Sequence, residues 1–439
     1  MKQSTSMPLR HHQNYFHQEI DFLKNLRYNE ETKGGNTMKI LSITAQKPDS
    51  TGSGVFLTEL TRAFDVLGCR QAVVCGTIQE DTLPFLPNIA AFPVHYQSEA
   101  FPFPVCGMSD EMPYESTRYR DMTGDMTAQF REAFRKKITE AVESFQPDVI
   151  LCHHLYFMAS LARELYPEIP IYGQCHGSDL RQLEANPWQR TWIKAQIPKL
   201  DGIFALHEAQ REQICKVFDL SPNRVRVMGT GYSSTVFFRK EDIQKDEEIT
   251  SYLFAGKLSE KKGIHCLLRC LSHLKNPEQA HIYLAGGCGS EDELQNLQEM
   301  AGQAPCEVTF LGKLDQKSLA EHMNRCDVFV LPSFYEGLPL VLIEAMACGM
   351  KTISTNLPGI QPWLNQAIPN CGTIFVEPPQ MKNSDEPIAE TLPDFERRLA
   401  QALEQAALAP LPDPTQVMHL SWRSLCRKLL AIFDHQEVS

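Results

Sequence analysis

Apolar runs of four to seven residues recur along the chain, each closed by glycine, proline or polar residues and most followed by a stretch with apolar positions at helical spacing. Runs this short and rich in β-branched residues fit buried parallel strands, and their alternation with helical stretches predicts an α/β fold. Strands are expected over residues 38–44, 70–76, 147–152, 169–174, 202–206 and 224–228, and again over 252–255, 281–285, 307–311, 328–331, 351–355 and 373–376. Helices are expected over 55–67, over 126–145, from His207 onward, and over 420–433, the last strongly amphipathic. The two series divide the chain into residues 38–235 and 250–419. A proline-rich stretch, 81–125, has no period; its Phe and Tyr side chains make either a wall facing sugar or lipid or an ordinary surface loop. Residues 1–37 are polar and form an extension of unassigned role, in which 15–26 has the spacing of a short amphipathic helix.

One stretch, DVFVLPSFYEGLPLVLIEAMACG at 327–349, combines these signals with chemistry. Its strand ends at Pro332, its loop carries Glu336 and Gly337, and its helix opens near Pro339, where a missing N–H costs nothing, and stops at Gly349. The helix is apolar nearly all round except for Glu344, so that carboxylate needs a partner: a buried Arg or Lys, or the hydroxyls of a ligand. A helix N-terminus reached through glycine favours an anion. Carboxylates on either side of such a site suit hydroxyls on either side of the anion, which is the layout of a nucleotide-diphosphate sugar.

Other stretches carry weaker signals of the same kind. Gly52-Ser53-Gly54 joins a strand to a helix, as a ligand-approaching loop or as a plain tight turn. Lys257 and Lys262 bracket a turn after the strand at 252–255, converging on an anion or standing in solvent. His176, Gly177 and Asp179 follow the strand at 169–174, at the end where parallel sheets bind ligands.

The glutamates of EGLPLVLIEAMACG, separated by seven residues, resemble the signature of the family 4 retaining glycosyltransferases of GT-B fold, and HGSD at 176–179 and GKLSEKKG at 256–263 resemble two further motifs of that family. The resemblance spans 38–434. It implies two Rossmann-like domains facing across a cleft, the first holding the acceptor and the second the donor, with the terminal helix 420–434 packed back on the first. It implies that His176 reaches the donor sugar, that Glu336 binds its hydroxyls and Glu344 the ribose. It further implies that Lys257 and Lys262 clamp the diphosphate, that Lys313 and Leu314 flank the nucleobase, and that Gly52, Gly54, Gly337, Leu338, Pro339 and Leu340 line the donor. The catalytic set it implies is His176, Glu336, Lys257 and Lys262. Lys257 stands where the family has arginine, which keeps the charge but loses the bidentate fork. His207 replaces a usual serine and Thr230 a usual asparagine.

Composition narrows the partners. A net charge of −12 argues against nucleic acid. The 14 cysteines are scattered singly, as buried thiols of a reducing compartment would be; His265, Cys266 and Cys270 are read as core rather than metal ligands. No segment approaches the run of about 18 apolar residues that spans a membrane, and the N-terminus lacks a secretory apolar region. The expected location is cytoplasmic. Arg131, Arg135, Lys136 and Lys137 make a basic stripe, either a solvated face or a peripheral contact with acidic lipid at the inner face of the membrane. No Asp-x-Asp follows a strand, so no metal and no cofactor is expected beyond a UDP- or GDP-linked donor substrate. The expected activity is retaining hexosyl transfer to a sugar, lipid-linked or small-molecule acceptor; an epimerase and a silent nucleotide-sugar sensor or assembly subunit are the alternatives.

Overall fold

The computed structural model describes residues 37–434, except 100, 111, 242, 247, 384 and 385. The helix expected at 15–26 lies outside the described residues.

Among the described residues fifteen strands run in chain order: β1 (Lys39–Ile43), β2 (Arg70–Thr77), β3 (Ala90–His95), β4 (Cys106–Gly107), β5 (Thr117–Arg118), β6 (Val149–His153), β7 (Ile171–Gln174), β8 (Gly202–Ala205), β9 (Val225–Val227), β10 (Thr250–Ala255), β11 (Ala280–Ala285), β12 (Glu307–Gly312), β13 (Val328–Leu331), β14 (Lys351–Thr355) and β15 (Ile374–Val376). They form two large sheets, ordered β3-β2-β1-β6-β7-β8-β9 and β12-β11-β10-β13-β14-β15, plus the short pair β4-β5. Every ladder is parallel, with Ile40 opposite Val149 in the first sheet and Tyr252 opposite Val328 in the second. Helices cover the faces, so central strands such as β13, Val328–Leu331, are buried along their whole length rather than alternating. This is the two-domain GT-B layout. The strand order reverses between β1 and β6 in one sheet and between β10 and β13 in the other, and beyond the strand ends at such reversals lie the crevices where open α/β sheets bind ligands.

The helix Trp422–Phe433 packs on the first sheet's side of the molecule. Its Trp422 ring meets Phe56 edge-on at 5.0 Å, Phe433 lies 4.8 Å from Tyr172, and the Cys426 thiol reaches the Leu60 carbonyl at 3.7 Å. The chain therefore passes between the sheets twice, and the two passages touch: Tyr232 N–H donates to Leu420 O at 3.2 Å and Trp422 N–H to Tyr232 O at 3.1 Å.

Residues 81–125 are neither an aromatic wall nor a plain surface loop. Phe101, Phe103 and Tyr119 are buried and pack with Phe130, Phe134 and Trp188 in the first core, and β3 pairs with β2 along six residues from Ala72↔Ala90 to Thr77↔His95. Cys266 and Cys270 are likewise core. On the helix Gly124–Phe145 the basic stripe is balanced: Arg131 pairs with Glu164, Arg135 with Glu132 at 2.7 Å and Lys137 with Glu140 at 2.8 Å. No helix among the described residues is long and apolar enough to cross a membrane.

Candidate functional site

Loops leaving β10, β11 and β13 converge at the second sheet's reversal. The turn after β10 ends at Gly263, whose φ of +70° only glycine adopts cheaply and whose Cβ would fall 2.1 Å from the Pro332 carbonyl oxygen. That close approach seats the β13 loop on the β10 loop, where Phe334 N–H donates to Lys261 O at 2.9 Å. Lys262 and Glu336, 74 positions apart, meet as an ion pair of 2.7 Å. Lys257 and Lys313 lie around the glycine loop after β11: a Cβ on Gly289 would stand 3.5 Å from Lys257 Nζ, and one on Gly287 would stand 2.6 Å from Lys313 Cε. The two bracketing lysines thus have different neighbours, Lys257 the β11 loop and Lys262 the β13 loop. Leu314 is half-buried beside Lys313.

The helix after β13 runs Leu340–Ala347 with Pro339 as its cap. Leu338 and Pro339 are buried, and Leu340 and Gly337 half-buried. Glu344 is 8% exposed, and among the described residues no cation pairs with its carboxyl. A second carboxylate faces it instead. Burial first, and then the charge of Glu59, push Glu344 up to about 8, so the free protein holds it protonated at neutral pH. Glu59 comes from the first sheet's helix Gly52–Val66, pairs with Arg62 at 2.5 Å and accepts from Gln316 Nε2 at 3.4 Å across the cleft.

The opposite wall is built at the ends of β1, β6 and β7. Thr51 caps the helix Gly52–Val66, accepting from Gly54 N–H at 3.1 Å. A Cβ on Gly54 would strike Pro48 at 2.8 Å, so glycine there serves the loop's own backbone, while Gly52 faces open space. His176 meets the second sheet's loops directly: a Cβ on Gly337 would lie 3.2 Å from its carbonyl oxygen. Asp179, fully buried, accepts from Leu155 N–H at 2.7 Å and from His176 N–H at 3.3 Å, and so ties the β6 and β7 loops together. His153 and His154 complete a group of three imidazoles with His176. All three are driven below the usual histidine range, chiefly by burial, His153 to about 3, and all are neutral.

Three contacts cross the cleft that the sequence did not flag. The Arg181 guanidinium lies over the Tyr335 ring at 4.9 Å while reaching Ser109 Oγ at 3.5 Å. His207 accepts from Gln210 N–H at 3.2 Å and lies against the Gly337 backbone. Gly359, φ +85°, would put a Cβ 2.2 Å from the His207 ring. The site therefore presents lysines, glycine loops and a helix N-terminus that suit an anion, with a carboxylate on each side of them and imidazoles opposite.

Residues 50–235 match the family profile described as Glycosyltransferase Family 4, and residues 235–407 the one described as Glycosyl transferases group 1. An uncharacterized glycosyltransferase of Methanocaldococcus jannaschii is 26% identical over 237 residues, 48% of this chain and 58% of that protein. A glycogen synthase of Mycobacterium tuberculosis is 23% identical over 267 residues, 56% of this chain and 62% of that protein. The chain thus spans about three fifths of these relatives' length. Sucrose-phosphate synthase from Thermosynechococcus elongatus superposes with a TM-score of 0.65 at 16% identity, covering 91% of this chain and 98% of that one. Anabaena HepE, solved in complex with UDP and glucose, superposes with a TM-score of 0.60 at 14% identity over 91% of this chain and all of its own.

Proposed function

Because the chain belongs to the family 4 glycosyltransferases of GT-B fold, we propose that it moves a hexosyl unit from a nucleotide-diphosphate sugar to an acceptor hydroxyl with retention of anomeric configuration. The observation that carries this reading is Glu344: a buried carboxyl, unmatched by any cation among the described residues, in the helix just beyond the Lys262–Glu336 pair. Ribose hydroxyls satisfy such a group where a cation does not. Glu336 then takes the sugar hydroxyls, and Lys262, Lys257 and the start of the helix Leu340–Ala347 take the diphosphate. Lys313 and Leu314 flank the base. HepE, which shares this fold, was solved with UDP and glucose, which supports a nucleotide-linked donor.

In the transfer, the bond from the anomeric carbon to the leaving phosphate breaks and the bond to the acceptor oxygen forms on the same face. The acceptor proton passes to the departing phosphate. Charge accumulates on that phosphate, where Lys257, Lys262 and the helix N-terminus would stabilise it electrostatically. The acceptor enters from the wall of the first sheet, beside His176.

A thermal-shift panel of free UDP, GDP and ADP and of their hexose conjugates tests this. A donor at a hundred times its dissociation constant adds about 2.7 kcal/mol of stability. Glu336→Gln should keep the nucleotide's share of the shift, lose the sugar's, and lower transfer about a hundredfold, roughly 3 kcal/mol of transition-state binding. No shift from any nucleotide, or full transfer by the variant, overturns the assignment.

A further inference from the structure

Beside His176 stands a second, buried imidazole. His153 Nδ1 lies 3.3 Å from His176 Nε2. The two rings are nearly parallel, 15° apart, with centroids 5.5 Å apart, which is what the nitrogen–nitrogen distance plus two ring radii gives. They therefore lie end to end in a common plane, the arrangement of a directed N–H···N bond rather than of a stack.

The direction of that bond follows from the far ends of the rings. His153 is 1% exposed, and among the described residues its Nε2 has no hydrogen-bond partner. A neutral imidazole has one N–H, and an orphaned buried N–H is rarer than an orphaned buried acceptor. The hydrogen of His153 accordingly sits on Nδ1 and is donated to His176 Nε2. With Nε2 accepting, His176 carries its own hydrogen on Nδ1. Its place is set by neighbours on all sides: Phe56 meets the ring edge-on at 5.0 Å, the His154 ring lies 4.8 Å away, and Asp179 holds the backbone N–H. Of these three histidines only His176 is half-buried rather than buried.

We infer that His153 is a positioning residue that holds His176 as its Nδ1–H tautomer, so that His176 offers the cleft a hydrogen-bond donor rather than an acceptor. A donor there suits an oxygen of the sugar or of the departing phosphate and does not suit a role as base toward the acceptor hydroxyl. The inference rests on the sugar transfer proposed above, but the tautomer itself is read without any donor present.

The test is nitrogen-15 imidazole NMR on the full chain, wild type and two variants, alongside turnover of the donor identified by thermal shift. His153→Asn keeps an amide N–H near the Nδ1 position, whereas His153→Leu keeps bulk and removes the donor. The wild-type His176 ring should show the Nδ1–H pattern. His153→Asn should preserve both that pattern and most of kcat. His153→Leu should mix the tautomers and lower kcat roughly ten- to a hundredfold, with the donor KM little changed. A wild-type His176 found as the Nε2–H tautomer overturns the inference, as does a folded His153→Leu protein with the tautomer and turnover of the wild type. A protein with the expected tautomer that transfers no sugar would instead count against the proposed function.

Discussion

Glu344 holds its proton because its surroundings offer neither water nor a cation, and because Glu59 stands opposite with a charge of its own. The folded chain keeps that proton to about pH 8, while an ordinary glutamic acid releases it near 4.5. Stability from this group is therefore full below 4.5, falls as pH rises through the window, and is flat above 8. Glu344→Gln, neutral throughout, should gain on the wild type across that window, by about 1 kcal/mol or more at its upper end, a rise in Tm of about 2 °C. Melting curves at both ends of the window check this. A ligand hydroxyl that donates to the ionised carboxylate must first displace the proton, so nucleotide affinity should strengthen as pH rises toward 8 in the wild type and lose that dependence in Glu344→Gln. Titration calorimetry at three pH values reads it. Glu344 was legible in the sequence as a lone charge in an apolar helix. Glu59 was not, because a glutamate on a helix amphipathic enough to bury one face looks solvated until a second sheet's helices cover it.

At the scale of elements, the expected strands read well because most are short apolar runs ended by a breaker, and the observed bounds differ from the expected ones by two residues at most. The misses have separate causes. The strand β3 is interrupted by Pro93, a residue that argues against a strand except at a sheet edge, and β3 is the edge. The helix Leu392–Leu408 was overlooked although Phe395, Leu399, Leu403 and Ala406 carry a helical period and are buried. The glycine turns were legible as turns, but not which backbone each one admits. Gly263 is the sharpest case, since a side chain there must both adopt a positive φ and displace the Pro332 carbonyl. Gly263→Ala should cost about 2 kcal/mol or more by denaturant unfolding. It should also part Lys262 from Glu336, weakening the donor's thermal shift more than the loss of stability alone accounts for.

Over the whole molecule, both sheets bring their reversal points to one cleft, and the terminal helix reaches that cleft through a line of rings: Trp422 on Phe56, and Phe56 on His176, each pair at 5.0 Å. Trp422→Ala should therefore destabilise the fold by about 3 kcal/mol and lower turnover at a position remote in sequence from every site residue. Differential scanning calorimetry with donor kinetics separates the two effects. The amphipathic period of that helix was plain in the sequence; its partner was known only through the family resemblance, because no local pattern states which domain a terminal helix will cover.

The two passages of chain between the sheets lie side by side, bonded through Tyr232 to Leu420 and Trp422. A single connecting strand would act as a ball joint and let one half of the molecule tilt in any direction. Two strands fastened together act as a door's pin: the halves can swing about the line the pair defines, while a twist about any other line pulls directly on those two hydrogen bonds. Any movement that parted Glu336 from His176 would therefore have to turn about that line or strain those two bonds.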